Sequence, residues 1–205
     1  MSFFYSFWST LTEMNPSFES ANYVAERKPG GLVYLIGYES LYQELMRVGM
    51  QVYHAVERQP KKADFLLVGN DSQIGMDKFT CALRVLQNGA EFVAVNQDPT
   101  VPSSDGFTPG TGALVGAIST MIGRKPDVCI GKSSPLLLHR AVADLDVYPW
   151  ECIMIGGTLE SDIVAGRSFS AYAVLVSTGN VNRVYCSAAA SMVPDKIVNS
   201  LEELL

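Results

Sequence analysis

The polar residues best placed for chemistry in this chain follow a short apolar run and a pair of glycines. The run from Cys152 to Ile155 predicts a strand covered on both faces, and Gly156-Gly157 ends it. α/β proteins bind ligands at the carboxyl ends of their strands, and the first N–H groups of a following helix attract anions. The segment therefore suits an anion site, although on these residues alone a strand, a turn and a capped helix without chemistry is the simpler interpretation. The polar residues are Thr158, Glu160, Ser161 and Asp162.

An earlier segment also combines a strand end with a helix start. Ile130-Gly131 is typical of a strand end, and Ser134 and Pro135 predict a helix with the serine as its N-cap and the proline at its first position. Lys132 lies between them, and alone it would be an ordinary surface lysine. Together, Gly-Lys-x-x-Pro and the later Gly-x-Thr-x-x-Ser-Asp-Ile-x-x-Gly resemble the third and fourth motifs of haloacid dehalogenase-like phosphatases. The resemblance is closest to the large-cap branch, which contains nitrophenyl phosphatases, phosphoglycolate phosphatase and pyridoxal phosphate phosphatase.

Further matches follow that family's order and approximate spacing along the chain. They cover the sequence from about Phe18 to Leu205, so the resemblance is far more specific than any single motif. The matching segments are Val33 to Gly37, Val68 to Asp71 followed by Lys78, Gly89 to Phe92, Asn96 to Asp98, Pro109 to Ala113, Thr178-Gly179 and Pro194-Asp195.

The resemblance implies roles for four residues. Lys132 matches the lysine that neutralises the phosphoryl oxygens and the nucleophilic carboxylate, work that suits a compact ammonium. Asp162 matches a carboxylate that helps to hold the Mg²⁺ shell, although it could also simply complement the positive end of a helix. Asn96 and Asp98 match substrate-binding positions of the family's cap, and turn chemistry explains the same residue types.

The chain departs from the family in two places. The family's fourth motif reads Gly-Asp and that carboxylate is a magnesium ligand, whereas this chain has Gly157. The family also begins with a strand ending in Asp-x-Asp-Gly-Thr, whose first Asp attacks phosphorus, and these 205 residues contain no such motif. Asp144-Leu145-Asp146 follows a helical pattern and lacks the Gly-Thr. A single carboxylate is a poor site for a cation that prefers several oxygen ligands, so we expect weak Mg²⁺ binding or none.

Strands that alternate with helices predict a mainly parallel α/β fold. The resemblance divides the chain into an N-terminal segment at 1–31 that belongs to the core, an α/β cap domain at 32–127, and the C-terminal half of an incomplete Rossmann-like core at 128–205. In this family the cap closes over the active site and selects the substrate. Within the core we expect a helix at 135–145, a strand at 172–177, a helix at 182–189 and a short strand at 196–198.

The composition indicates a globular protein with reduced cysteines. The residues are 48% hydrophobic and 18% charged with a net charge of −6, which argues against nucleic acid or an anionic membrane as a partner. No apolar run reaches the roughly 20 residues that span a bilayer, and the N-terminus lacks the features of a signal peptide. The cysteines form no CxxC pair, so we expect reduced, buried thiols in a cytoplasmic protein. They are Cys81, Cys129, Cys152 and Cys186.

The segment from Ser2 to Trp8 contains five aromatic residues. Such a segment is an aggregation hazard unless something covers it. Either it is an extension with no fixed role, or it is a strand that pairs with the core sheet, within one chain or across a homodimer. We favour the strand, because the family's nucleophile strand would lie beside residues 152–155, and without it that strand has an unpaired edge.

Three hypotheses about function follow. The first is a magnesium-dependent phosphomonoesterase that acts on a small phosphorylated metabolite through an aspartyl-phosphate, as the resemblance implies. The second is a non-catalytic homologue that binds a small ligand or a protein, and the third is a truncated product of an active phosphatase gene. Because an internal motif has changed at Gly157 as well, loss of catalysis is the simpler account, and we expect an impaired enzyme.

Overall fold

The computed structural model describes residues 15–54, 62–132, 134–143, 145–177 and 192–204. Strands and helices alternate through this part of the chain, as predicted for a mainly parallel α/β fold. The strands are β1 Leu32–Ile36, β2 Gln51–Tyr53, β3 Phe65–Val68, β4 Glu91–Ala94, β5 Thr100–Ser103, β6 Gly106–Pro109, β7 Val128–Cys129, β8 Ile153–Gly156, β9 Tyr172–Val176 and β10 Lys196–Val198. The α-helices are α1 Pro16–Arg27, α2 Glu39–Arg47, α3 Met76–Gln87, α4 Thr111–Ile122, α5 Leu136–Ala141 and α6 Val164–Phe169. Short helical turns span Pro149–Glu151, Leu159–Ile163 and Leu201–Leu204.

The larger sheet has five parallel strands in the order β2-β1-β3-β4-β7. Its central strands are continuous apolar runs because helices cover both faces, and every residue of β3 is buried. Val85 of α3 and Ile118 of α4 belong to the core on one face. Val24 of α1 and Leu45 of α2 belong to the core on the other. This packing fixes the carboxyl ends of β4 and β7 side by side.

The smaller sheet has three parallel strands in the order β10-β9-β8. Helix α6 packs closely on one face, since a Cβ built on Gly166 would lie 2.7 Å from Cβ of Met154. The expectation that residues 152–155 form a strand covered on both faces is wrong. Among the described strands, β8 lies at the edge of this sheet, and Ile153 and Ile155 are 64% and 45% exposed on the face opposite α6.

Helix α5 joins the two sheets. Arg140 donates to Glu19 at 2.9 Å and to Glu26 at 2.7 Å, and both carboxylates belong to α1. On the other side, His139 contacts Phe169 of α6 edge-on, with ring centroids 4.8 Å apart. Charge pairing and ring packing therefore hold the smaller sheet against the helical layer of the larger one.

Several local predictions differ from the structure. The helix expected at 135–145 is α5, which ends at Ala141 and begins one residue late, so that Pro135 takes the N-cap position. Ser134 still caps this start, because its Oγ accepts a hydrogen bond from the Leu136 N–H at 3.2 Å. The β5–β6 hairpin and helix α4 have no counterpart among the sequence predictions. Gly106 has φ of 124° at the hairpin turn, a conformation that favours glycine.

Some predictions lie outside the described residues: those for Phe3 to Trp8, for a helix at 182–189, and for Thr178-Gly179, Asp144 and Cys186. The domain bounds stay predictions, although the larger sheet extends through β7 to residue 129. Cys81, Cys129 and Cys152 are free thiols, and the first of these is buried whereas the other two are partly exposed. In the part of the chain that the structure describes, no helix has the length and hydropathy to cross a membrane.

Candidate functional site

Lys132 follows the carboxyl end of β7, where the chain leaves the larger sheet. The ladder between β4 and β7 continues past the strands, because the Gly131 N–H donates to the Val95 carbonyl at 2.7 Å. A Cβ built on Gly131 would lie 2.6 Å from that carbonyl oxygen, so a side chain here would push the strands apart. Gly131 therefore permits the close approach that positions Lys132 at the sheet edge.

Asp162 lies in the turn that follows β8, within a single π-helical turn at Leu159–Ile163. Its Oδ2 accepts hydrogen bonds from the N–H groups of Gly157 and Thr158, each at 3.1 Å. Gly156 makes room for this arrangement, since a Cβ built there would lie 2.1 Å from Cβ of Asp162. Gly156, read from the sequence with Gly157 as a stop for the strand, is thus also required for seating the carboxylate.

Lys132 and Asp162 form an ion pair that joins the two sheets. Nζ of Lys132 lies 3.1 Å from Oδ1 of Asp162. The aspartate side chain is 7% exposed and the lysine side chain 53% exposed, so the carboxylate is buried while the ammonium faces water. The structure therefore brings together two of the four residues singled out from the sequence.

This geometry limits what the carboxylate can do. Both oxygens of Asp162 already have partners, one the ammonium and the other two N–H groups. These two N–H groups at the helix start are occupied by the protein's own carboxylate rather than open to an external anion. The exposed side of Lys132 is the one group of this pair that can neutralise a phosphoryl oxygen.

The pair does not fit a Mg²⁺ ion. Magnesium requires near-octahedral oxygen ligands, and the site offers the single, fully engaged carboxylate of Asp162. Among the described residues, no group of three or more His, Cys, Asp or Glu side chains could hold a metal ion. At Gly157, where the family has a second carboxylate, a built Cβ meets nothing closer than the Val176 carbonyl oxygen at 3.9 Å.

Asn96 and Asp98 lie in the loop after β4. Asn96 neighbours the lysine segment, since its Cβ would be 3.2 Å from a Cβ built on Gly131. Its Oδ1 accepts a hydrogen bond from the Asp98 N–H at 3.2 Å, so its side chain also shapes its own turn. The Asp98 carbonyl accepts from the Gly112 N–H at 2.9 Å, which fixes the loop against the start of α4. Asn96 therefore lies beside the candidate site, and the backbone of Asp98, two residues further on in the same loop, is held against the start of α4.

Cys129, the last residue of β7, precedes Lys132 by three positions. Burial raises the pKa of its thiol to about 11, against a smaller lowering by a hydrogen bond from Gln97. The thiol is therefore protonated at neutral pH and is a weak nucleophile. Asp146, the second acid of Asp-x-Asp, is exposed and lies outside any strand.

A cleft of about 1130 Å³ opens at the amino ends of β3, β4 and β7, on the opposite side of the larger sheet from Lys132. Several of its charged residues form ion pairs with each other, as in the Lys28–Asp64 and Arg124–Asp127 pairs. These carboxylates also accept strand N–H groups, Asp64 from Leu32 and Asp127 from Phe92. Polar groups of this cleft therefore bind the backbone at the amino ends of the strands, whereas the candidate site at Lys132 lies at the carboxyl ends.

Comparison with known proteins identifies the family. A family model for HAD-hydrolase-like proteins matches residues 129–204. The structure of p-nitrophenyl phosphatase from Archaeoglobus fulgidus aligns with a TM-score of 0.77 at 32% identity and covers 92% of this chain and 72% of that protein. The chain belongs to the haloacid dehalogenase-like hydrolases, in the branch of the nitrophenyl phosphatases. The resemblance read from the motifs at Lys132 and Asp162 is confirmed.

Two further relatives show the range of this branch. The acid sugar phosphatase of Staphylococcus saprophyticus is 32% identical over 160 residues, covering 78% of this chain and 60% of that protein. A glycerol phosphate phosphatase from Mycobacterium tuberculosis, solved in complex with magnesium, aligns with a TM-score of 0.76 at 30% identity and covers 92% of this chain and 57% of that one. The chain thus spans about 60% of the length of the curated relatives it matches.

Proposed function

We propose that this chain is a phosphatase-family protein whose own residues retain part of the phosphate site but hydrolyse phosphomonoesters poorly or not at all. The observation that carries the proposal is the Lys132–Asp162 pair. It offers an exposed ammonium beside a carboxylate whose two oxygens are already engaged. Hydrolysis through an aspartyl-phosphate needs a free carboxylate that can attack phosphorus. The carboxylate of Asp162 is not free, because it accepts two backbone N–H groups and binds the Lys132 ammonium.

The ligand class we propose is a small phosphorylated metabolite. Lys132 would neutralise phosphoryl oxygens from the solvent side, and Asn96 and Asp98, in the loop beside it, would contact the rest of the molecule. Magnesium would bind weakly, because Gly157 supplies no side chain where the family has a ligand. Free thiols at Cys81, Cys129 and Cys152 support a cytoplasmic setting.

Hydrolysis of p-nitrophenyl phosphate with magnesium tests this proposal. We expect the purified protein to release p-nitrophenolate no faster than buffer, because loss of an attacking group removes most of the rate in such catalytic units. Lys132→Ala, tested in parallel, is the matched control for contaminating phosphatases. Magnesium-dependent turnover that survives further purification and disappears in Lys132→Ala contradicts the proposal.

A further inference from the structure

The residue at position 157 influences the charge of the candidate site. The family has a carboxylate here that binds magnesium, whereas this chain has an exposed glycine, Gly157. The Gly157 N–H donates to Oδ2 of Asp162 at 3.1 Å, and Oδ1 of the same carboxylate lies 3.1 Å from Nζ of Lys132. One carboxylate therefore bridges position 157 and the ammonium, so a charge placed at 157 would act on a ligand at Lys132.

The charges of the Lys132–Asp162 pair cancel without a metal ion. The single negative charge of Asp162 is balanced by the Lys132 ammonium. The N–H groups of Gly157 and Thr158 stabilise the same carboxylate through hydrogen bonds to Oδ2. A buried carboxylate with an ionic partner and two hydrogen-bond donors is held in its charged form by the protein itself. It therefore needs no second cation.

Two further carboxylates lie close in sequence to residues of the site. Glu160 precedes Asp162 by two positions and is exposed, and Asp98 belongs to the loop after β4. Within the described residues, these side chains do not combine with Asp162 into a group of three that could hold a metal ion. A ligand at Lys132 therefore meets one balanced ion pair rather than a cluster of carboxylates.

This difference changes what phosphate binding requires. Clustered carboxylates repel a phosphoryl group until a bound cation neutralises them, so such a site needs its metal before it can take the ligand. A balanced pair imposes no such requirement. The Lys132 side chain is 53% exposed, so its solvent-facing side can accept a phosphoryl oxygen while the other side stays on Asp162.

We infer that this chain binds phosphoryl groups at Lys132 without magnesium, and that the glycine at position 157 makes this binding independent of the metal. The inference rests on the proposed function, because it takes Lys132 as the phosphate contact. It adds a role for Gly157 in binding, since the missing carboxylate removes a metal ligand and also removes the negative charge that the metal would neutralise.

Calorimetric titration with inorganic phosphate tests the inference, because this probe reports binding without hydrolysis. One buffer contains EDTA, and the other contains magnesium at the same concentration in cell and syringe. We expect the same dissociation constant in both buffers. Lys132→Ala should weaken phosphate binding by about tenfold or more in both, as expected for loss of a charged hydrogen-bond donor. That variant assigns the measured affinity to this site.

Gly157→Asp should create the metal requirement. The side chain fits, because a Cβ built at this position meets nothing closer than 3.9 Å. In EDTA the variant should bind phosphate about tenfold more weakly than the starting protein, because the added charge repels the anion. Magnesium should restore the affinity. Gly157→Asn is the matched control of the same shape without the charge, and it should bind phosphate equally in both buffers.

Four results would overturn the inference. Magnesium could strengthen phosphate binding by the starting protein, Gly157→Asp could bind as tightly in EDTA as the starting protein, Lys132→Ala could leave the affinity unchanged, or phosphate could fail to bind in either buffer. Metal-independent binding together with magnesium-dependent turnover of p-nitrophenyl phosphate would support the inference and contradict the proposed function. The two therefore fail separately.

Discussion

Asp162 is held firmly in the turn that follows β8. Its carboxylate accepts two backbone N–H groups and binds Lys132, and its side chain is 7% exposed. Hydrogen bonds of this kind to a charged acceptor are worth about 1.5–3 kcal/mol each, so this carboxylate stabilises the turn after β8. The same contacts leave no oxygen free to attack phosphorus.

Gly157→Asp should restore a magnesium ligand. A Cβ built at this position meets nothing closer than 3.9 Å, so the side chain fits without moving the backbone. A second carboxylate beside Asp162 then provides the oxygen ligands that Mg²⁺ prefers. Calorimetric titration should show tighter magnesium binding by Gly157→Asp than by the starting protein. Gly157→Asn is the uncharged control of the same shape, and equal affinities in all three proteins would refute the prediction.

The lowered pKa of Asp64 indicates how the stability of the fold depends on pH. The Lys28 ammonium and the Leu32 N–H hold the pKa of Asp64 below its ordinary value of 3.8. Because the folded pKa is lowered, this carboxylate stabilises the fold above its unfolded pKa, and the contribution is lost as pH falls through the folded value. Asp64→Asn should therefore flatten the drop in melting temperature between pH 5 and about pH 2. A drop as steep as in the starting protein would mean that Asp64 is not a source of the acid sensitivity.

At the scale of elements, Gly112 and Gly116 of α4 offer a matched comparison. Cβ atoms built on Gly110 and Gly112 would lie 2.4 and 2.3 Å from the carbonyl oxygens of Asp98 and Gln97, so the loop after β4 packs directly on the helix start. Gly112→Ala should lower the free energy of unfolding by about 2 kcal/mol or more. The added methyl group would overlap the Gln97 carbonyl oxygen, and neither the loop backbone nor the helix backbone can move away without strain.

Gly116 lies in the same helix, and a Cβ built there meets nothing within 4 Å. Gly116→Ala should therefore leave stability unchanged or raise it by about 0.5–1 kcal/mol, the ordinary helix preference for alanine. Urea unfolding of the two variants measures both effects. Equal effects would show that the contact between the loop and α4 does not constrain the fold.

The elements with strong local patterns could be predicted from sequence. β9 is an apolar run bounded by turn residues, and the strand predicted at 172–177 agrees with the observed Tyr172–Val176 within one residue. Coverage of β8 could not be predicted, because Cys-Ile-Met-Ile has the same pattern whether one face or both are buried. The β5–β6 hairpin has exposed residues in every position, so no apolar alternation marks it.

The candidate site was predictable in its residue types but not in its contacts. The motifs singled out Lys132 and Asp162, which lie 3.1 Å apart. The sequence could not show that Asp162 folds back on the N–H groups of Gly157 and Thr158, because this depends on a single π-helical turn. The glycine pair was the available signal, since glycines at a strand end permit close backbone approach.

At the scale of the whole molecule, the site lies where the two sheets meet. The larger sheet supplies Lys132 and the smaller sheet supplies Asp162, while Arg140 of α5 binds Glu19 and Glu26 of α1 and holds the layers together. A phosphorylated ligand at Lys132 would therefore touch both parts. We propose that this junction, as built from the described residues, has the charge to hold a phosphate but no group that attacks it.

Turnover of p-nitrophenyl phosphate by Gly157→Asp, at a magnesium concentration that saturates this variant, tests that claim most directly. Restoring a metal ligand removes weak magnesium binding as an explanation for inactivity, so that only the attacking group is in question. We predict that p-nitrophenolate release equals the buffer blank. Magnesium-dependent release by Gly157→Asp that disappears in the Gly157→Asp, Lys132→Ala double variant would contradict the account, because the site would then contain its own nucleophile.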